Sequence, residues 1–380
     1  MHTAVTTLMG IDFPIFAFTH CRDVVAAVTN AGGFGVLGAV AHTPEQLDID
    51  LVWIREQTKG RPFGVDLLIP RKYVGAESGG ISAADLRALL PQEHRDWIDA
   101  LLAHHGVPPL PPPAPDSTRD ERGLAGLRVD AKSLAPLIEV AFEHKVRLLA
   151  SALGTPPEWL IERAHAAGIP VAALAGRLDH AVAHRQAGVD IIIAQGTEGG
   201  GHTGEIATMV LVPQVVDAVA PVPVLAAGGI ASGRQIAAAL ALGAEGVWCG
   251  SVWLTTEEAE TPPVVKEKFL AATSSDTRRS RSLTGKPARM LRTAWTDAWE
   301  APDAPAPLGM PLQSMLIATA QRRIHRVAHK PTSGARALAT YFVGQVVGQM
   351  NEPKSTRRVM SDMIEEFVTV MERLDRLVGE

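Results

Sequence analysis

Asp190–Glu205 reads DIIIAQGTEGGGHTGE. Ile191, Ile192 and Ile193 form a short β-branched run bounded by turn-forming residues, which predicts a buried strand. Gln195 stands at its end, where a side chain can reach a ligand. Gly199, Gly200 and Gly201 strip every Cβ from the next loop. That permits unusual dihedrals and close backbone approach to a flat or anionic group. His202 follows directly, and an imidazole with an ordinary pKa of about 6.5 suits proton transfer at physiological pH. The plainer alternative is a flexible glycine loop with an incidental histidine. The concentration of Gln, Glu, three Gly and His at one strand end favours a site.

Outward from this stretch, an apolar run followed by a helical pattern recurs along most of the chain. PIFAFT begins at Pro14, FGVLGA at Phe34, PFGVDLLIP at Pro62 and VRLLASALG at Val146. PVAALAG begins at Pro170, DIIIAQG at Asp190, PVPVLAAGG at Pro221 and GVWCGSVWL at Gly246. Between the runs, Arg22–Ala31, Pro156–Ala167 and Gly233–Leu242 read as amphipathic helices, stopped by Gly32, Gly168 and Gly243, with Ser232 as an N-cap. This alternation predicts a parallel sheet, and eight strands predict a closed (β/α)8 TIM barrel of the α/β class, with its ligand site at the C-terminal strand ends.

The 380 residues exceed the roughly 250 that one barrel needs. Two regions break the rhythm. A long insertion after the third strand, about 71–130, holds a helix-like stretch and then PPLPPPAPDSTRDERG from Pro108. Its prolines exclude a helix interior or a central strand, leaving a lid, a partner surface or a solvated polyproline-like loop. The second region, 256–320, reads as a small, mainly helical domain. The barrel is then expected over 1–255 and 321–380, with one or two helices between Gly334 and Leu377 closing it.

AAGGIASG, Ala226–Gly233, follows the seventh strand, and CGS, Cys249–Ser251, lies within the eighth. Many barrels hold a phosphate between these two loops on backbone N–H groups and a short helix N-terminus. Gly228, Gly229, Gly250 and Ser251 fit that role. A glycine pair alone would be an ordinary tight turn; its pairing with CGS on the adjacent strand is the more specific signal.

These motifs carry a resemblance. QGTEGGGHTG from Gln195, VPQVVDAV from Val212, AAGGI from Ala226 and LGAEGVWCGS from Leu242 resemble the nitronate monooxygenase (2-nitropropane dioxygenase) family and the related FMN-dependent enoyl-acyl-carrier-protein reductases. PI at Pro14, NAGGFG at Asn30, FGV at Phe63 and DTRRSRSLTGKPAR over Asp276–Arg289 extend it to most of the chain outside the insertion. The resemblance implies an FMN-binding barrel with a helical domain over the flavin. Gln195 and Gly200, with Gly201 beside them, would contact the ring. Gly228, Gly229, Gly250 and Ser251 would hold the phosphate, with Trp248 and Cys249 alongside. His202 would remove the α-proton of a neutral nitroalkane or orient an anionic nitronate, whose electrons would pass by way of the flavin to oxygen. The alternative activity is an NAD(P)H-dependent enoyl-thioester reductase. A third possibility is a barrel that binds a phosphorylated ligand without redox chemistry.

The chain departs from the family's pattern at two site positions. His20 stands near where the family commonly has a methionine facing the flavin, which makes it a substrate-side candidate or a tolerated strand-end residue. Asp66 replaces an asparagine; a carboxylate near the flavin's pyrimidine edge would disfavour the anionic reduced flavin unless protonated or paired.

Charge and cysteine content narrow the remaining classes. Thirty-six basic against 41 acidic residues give a net charge of −5, which carries no electrostatic signature of nucleic-acid binding. The two cysteines, Cys21 and Cys249, suggest neither a disulfide framework nor a metal site. No signal peptide or membrane span is expected, and a reduced cytoplasmic setting fits best. The expected partners are a small substrate and oxygen, with a homodimer left open. His104 and His105 read as solvated, Asp179, His180 and His184 as an exposed helix face, and Arg278, Arg279 and Arg281 as a phosphate attractor or internal ion pairs.

Overall fold

The computed structural model describes residues 1–67, 83–111 and 131–378. Eleven strands are found among them. The first six are β1 (Ile15–Thr19), β2 (Phe34–Gly38), β3 (Gly64–Leu67), β4 (Leu149–Ser151), β5 (Val171–Ala175) and β6 (Ile191–Gln195). The others are β7 (Gly201–His202), β8 (Val224–Ala227), β9 (Gly246–Cys249), β10 (Thr277–Ser280) and β11 (Ala288–Leu291). All but β7, β10 and β11 close a parallel barrel in the order β1-β2-β3-β4-β5-β6-β8-β9, with β9 returning to β1. The barrel strands coincide with the eight apolar runs. Each run is buried on both faces, as strands of a helix-wrapped parallel sheet must be.

Alternation with period two sorts each strand's residues into two cores. Ile15, Ala17, Leu37, Val65, Leu149, Ile192, Ala226, Val247 and Cys249 face outward into the layer shared with the helices. Phe16, Phe34, Val36, Leu148, Ala150, Ile193, Leu225, Ala227 and Trp248 fill the interior. The opening helix Ala4–Met9 packs Val5 and Met9 into this inner cluster.

A third cluster forms a separate core. It gathers Val264, Phe269, Met290, Trp295, Ile317 and Ile324, continues to Val343 and Val347, and takes in Ile98, Leu102 and Val107. The helix Leu312–Ala328 runs across residue 320, and Ile324, Leu338, Val343 and Val347 belong to this cluster, while Gly344 and Gln345 also bond the barrel's loops. The helix Gln92–His104, inside the expected insertion, also belongs to this core. Arg323 pins it there, pairing with Asp99 at 2.7 Å and donating to the carbonyls of Val107 and Pro108. The proline-rich remainder of the insertion lies mostly outside the described residues. The second unit is also not simply helical. An antiparallel sheet, β10-β11-β7, runs through it, and its third strand comes from the glycine loop of the barrel.

The last helix, Thr356–Val378, returns to the barrel. Its Glu366 accepts from the Gly233 N–H at 2.8 Å and pairs with Arg234, capping the helix Gly233–Ala241. Ser232 occupies the N-cap position but makes no capping bond; its hydroxyl donates to Gln235 instead.

Candidate active site

The tops of the barrel strands surround a cavity of about 910 Å³. Strand alternation brings its wall together. Phe18 and His20, Asp66, Leu174, Gln195, Ala227 and Trp248 all continue the inward-facing register of their strands. Gly200, Gly201 and His202 line it together with Gly228, Gly229, Gly250 and Ser251, and a Cβ at Gly200 would stand 2.9 Å from Ser251 Oγ. Every site residue expected from sequence thus lines one cavity. Cys249 does so from a different position: its side chain belongs to the barrel–helix core, and burial pushes its thiol up to about 12. It is a packing residue without nucleophilic character.

The glycine loop is held, not loose. Glu198 accepts from the N–H and the hydroxyl of Thr208 at the start of the helix Thr208–Val219, where the helix dipole favours a carboxylate. Arg289 donates to the Thr197 carbonyl at 2.8 Å, and the Gln345 N–H donates to the Glu198 carbonyl at 2.9 Å. Gly201 and His202 then pair with Arg289 and Ala288 of β11. A Cβ at Gly200 would stand 2.8 Å from the Gly344 nitrogen. Only a glycine lets the loop pass so close to the second unit.

His202 Nε2 shares a hydrogen bond of 2.8 Å with Thr284 Oγ1, which also lies 3.2 Å from the Lys286 carbonyl. Nδ1 has no protein partner among the described residues. Burial, helped by the Lys286 charge, holds the imidazole down to about 4. His20 Nδ1 donates to the Gly38 carbonyl at 2.8 Å, which leaves Nε2 as its acceptor. His20 is solvent-accessible by surface area because it borders the cavity. Atoms crowd its other sides, and that burial outweighs the Gly38 bond to lower its pKa, with His42 adding to the effect.

Next to the glycine loop, the ends of β8 and β9 have the shape of an anion cradle. Gly228 and Gly229 lie in the left-handed region, at φ 90° and 74°. A Cβ at Gly228 would come within 2.7 Å of the Gly196 carbonyl, so glycine is required there on two counts. Gln235 braces this turn, accepting from the Ala231 N–H at 2.8 Å and donating to the Gly229 carbonyl. Ser251 opens the short helix Ser251–Thr255; its Oγ accepts from the Gly344 N–H at 2.8 Å, leaving its own proton free. At Gly250 an added Cβ would meet nothing closer than 3.8 Å. A phosphate fits this cradle. Phe18 and Trp248, also on the cavity wall, stack at 6.1 Å.

Sequence reading missed the residues that the second unit contributes: Thr284 behind His202, and Leu283, Tyr341 and Phe342 on the wall. Thr284 lies 82 residues from His202, and no local pattern links them. Gln235 was findable as the residue three after a cap position. The lesser candidates do not join the site. His184 is buried and satisfied by Thr155 and the Leu174 carbonyl, so it is not on an exposed face as expected. Arg278 pairs with Asp297, Arg279 with Glu205, and Arg281 donates to the Gly285 carbonyl, which is the internal-pairing alternative. Among the described residues, no helix is long and apolar enough to cross a membrane.

The chain is similar to known proteins in sequence and in fold. The sequence profile described as nitronate monooxygenase matches residues 2–366. A Mycobacterium tuberculosis protein that carries a monooxygenase name is 64% identical over 378 residues, covering 100% of both chains. A Staphylococcus aureus protein named as a nitronate monooxygenase is 27% identical over 92% of this chain and 97% of its own. Of solved structures, nitroalkane oxidase from Streptomyces ansochromogenes superposes with a TM-score of 0.77 at 27% identity, covering 98% of this chain and 100% of the other. FabK from Thermotoga maritima does so at 0.69 and 27%, covering 100% of both.

Proposed function

The chain belongs to the nitronate monooxygenase family and is an oxidoreductase; on that premise we propose that it uses FMN to oxidise alkyl nitronates with oxygen. The observation that carries this reading is one cavity lined by both a glycine cradle and an imidazole. FMN, when bound, supplies the ability to take electrons from the nitronate and return them to oxygen. Gly228, Gly229, Gly250 and Ser251 would hold its phosphate, and Gln195, Gly200 and Gly201 would lie against its ring. Phe18 and Trp248 would exclude water from beneath it.

The state of His202 favours an anionic nitronate over a neutral nitroalkane. A base held down to about 4 is far from the operating pH and abstracts a carbon-bound proton inefficiently. An anion in the cavity reverses that bias, because an opposite charge favours the protonated imidazole. Nδ1 would then carry a proton toward the substrate while Thr284 keeps the ring in place. His20 offers a second imidazole on the substrate side.

A second reading, reduction of enoyl-thioesters with NAD(P)H, is favoured by the likeness to FabK. Anaerobic mixing of purified holoenzyme decides between them. Bleaching of the flavin by a nitronate and not by NADH or NADPH is the expected result. Rapid bleaching by a nicotinamide would transfer the assignment to the reductase, and a colourless protein that takes up no FMN would end both.

A further inference from the structure

The barrel interior is apolar or small wherever it is closed, as at Phe34, Val36, Ala150 and Ile193. Asp66 interrupts it. This residue is 3% exposed, lines the cavity, and has Gly38 and Ala150 as its register neighbours. Neither neighbour has a polar side-chain atom. Oδ2 is sealed from solvent with no hydrogen-bond partner, and no cation pairs with Asp66 among the described residues. Burial, acting alone, pushes its carboxyl well above the ordinary range. A buried carboxylate with nothing to compensate its charge keeps its proton.

We infer that Asp66 is a neutral carboxylic acid that donates its hydroxyl proton to an acceptor on the ring of the ligand seated in this cavity. The ligand's identity rests on the FMN reading; the pyrimidine part of a flavin offers carbonyl oxygens and ring nitrogen as acceptors. The replacement of asparagine noted in the sequence then has a physical account. A neutral carboxyl, like a carboxamide, supplies one donor and one acceptor. Unlike the amide, it loses the donor when pH rises, and the resulting charge would repel the same acceptor atom.

The other ionisable groups on the cavity wall do not imitate this behaviour. His202, His20 and His325 are held low by burial, so they are already neutral on the alkaline side. Cys249 and Tyr341 are pushed up and stay protonated. Arg22, His42, Asp50, Glu260 and Arg322 stand elsewhere on the wall and are common to wild type and variant.

The test is the FMN dissociation constant, read by flavin fluorescence, from about pH 6 to about pH 10 for wild type and Asp66→Asn. Once pH passes the carboxyl's pKa, the wild-type constant should rise about tenfold per unit, while the amide variant, which keeps its donor, stays level. Ionisations of FMN itself cancel in the difference. Superimposed profiles would overturn the inference. An infrared spectrum of the flavin-free protein tests the same point without ligand. It should contain a protonated-carboxyl stretch at neutral pH that Asp66→Asn or Asp66→Ala removes, and its absence from wild type would also overturn the inference. Failure to take up FMN at any pH would count against the flavin reading, and the infrared band would still decide the state of Asp66.

Discussion

The cradle rim and the His202 rim line one cavity but are built in different ways. Gly228, Gly229, Gly250 and Ser251 follow β8 and β9, adjacent strands of the barrel, and their brace, Gln235, lies six residues beyond Gly229. His202 leaves the barrel altogether, becomes a strand of the second unit's sheet, and takes its orientation from Thr284. The first rim is local chemistry on a rigid barrel. The second is shared between two cores, so its precision depends on how they dock.

The largest effect should come from the local rim. Gly229→Asp places a side chain at φ 74° beside Glu198 and sets a negative charge where an anion belongs. The protein should fold around its intact barrel core and purify without flavin. Normal flavin content, measured by absorbance, would show that the cradle is not the phosphate site.

The shared rim should lose turnover without losing cofactor. His202→Asn should keep FMN and lower nitronate turnover by about 10²–10³, the usual cost of losing a donor aimed at anionic charge. Thr284→Val should be milder. Without its partner at 2.8 Å the ring loses its fixed orientation, and kcat should fall about tenfold, equal to ~1.4 kcal/mol of barrier. The pH dependence has a defined sign. With folded His202 near 4 and an unfolded value of about 6.5, the unfolded chain binds more protons between them, so stability falls as pH drops through that window. Thr284→Val activity equal to wild type at all pH would break the proposed role of the second unit.

The smallest effect concerns docking. Arg323→Ala removes the ion pair with Asp99 and two bonds to backbone carbonyls, so the Gln92–His104 helix should exchange its amide hydrogens faster, at a cost of about 1 kcal/mol. Unchanged exchange there, with faster exchange at β7, would mean that Arg323 supports the His202 rim instead.

The barrel was legible because its signals are short-range. Apolar runs at Pro14, Phe34 or Asp190 are strands whatever surrounds them, and glycines at 228–229 and 199–201 announce backbone that other residues cannot adopt. The small sheet was not legible. Gly201–His202 is two residues long, and nothing in a glycine loop reveals that Ala288 and Arg289 will pair with it. The packing of the helix Leu312–Ala328 was not legible for a related reason: the side on which it packs is decided by partners such as Ile98 and Phe269, far away in the chain.

Sequence alone thus determined the eight-stranded architecture, the family, and the residues that gather at the strand ends, because strand periodicity and glycine geometry are properties of neighbouring residues. The tertiary structure alone decided that Thr284 holds His202, that Cys249 is packing, and that Asp66 Oδ2 is sealed without a partner among the described residues. Those are matters of dielectric and hydrogen-bond supply, and both are set by atoms that the fold brings together from distant parts of the chain.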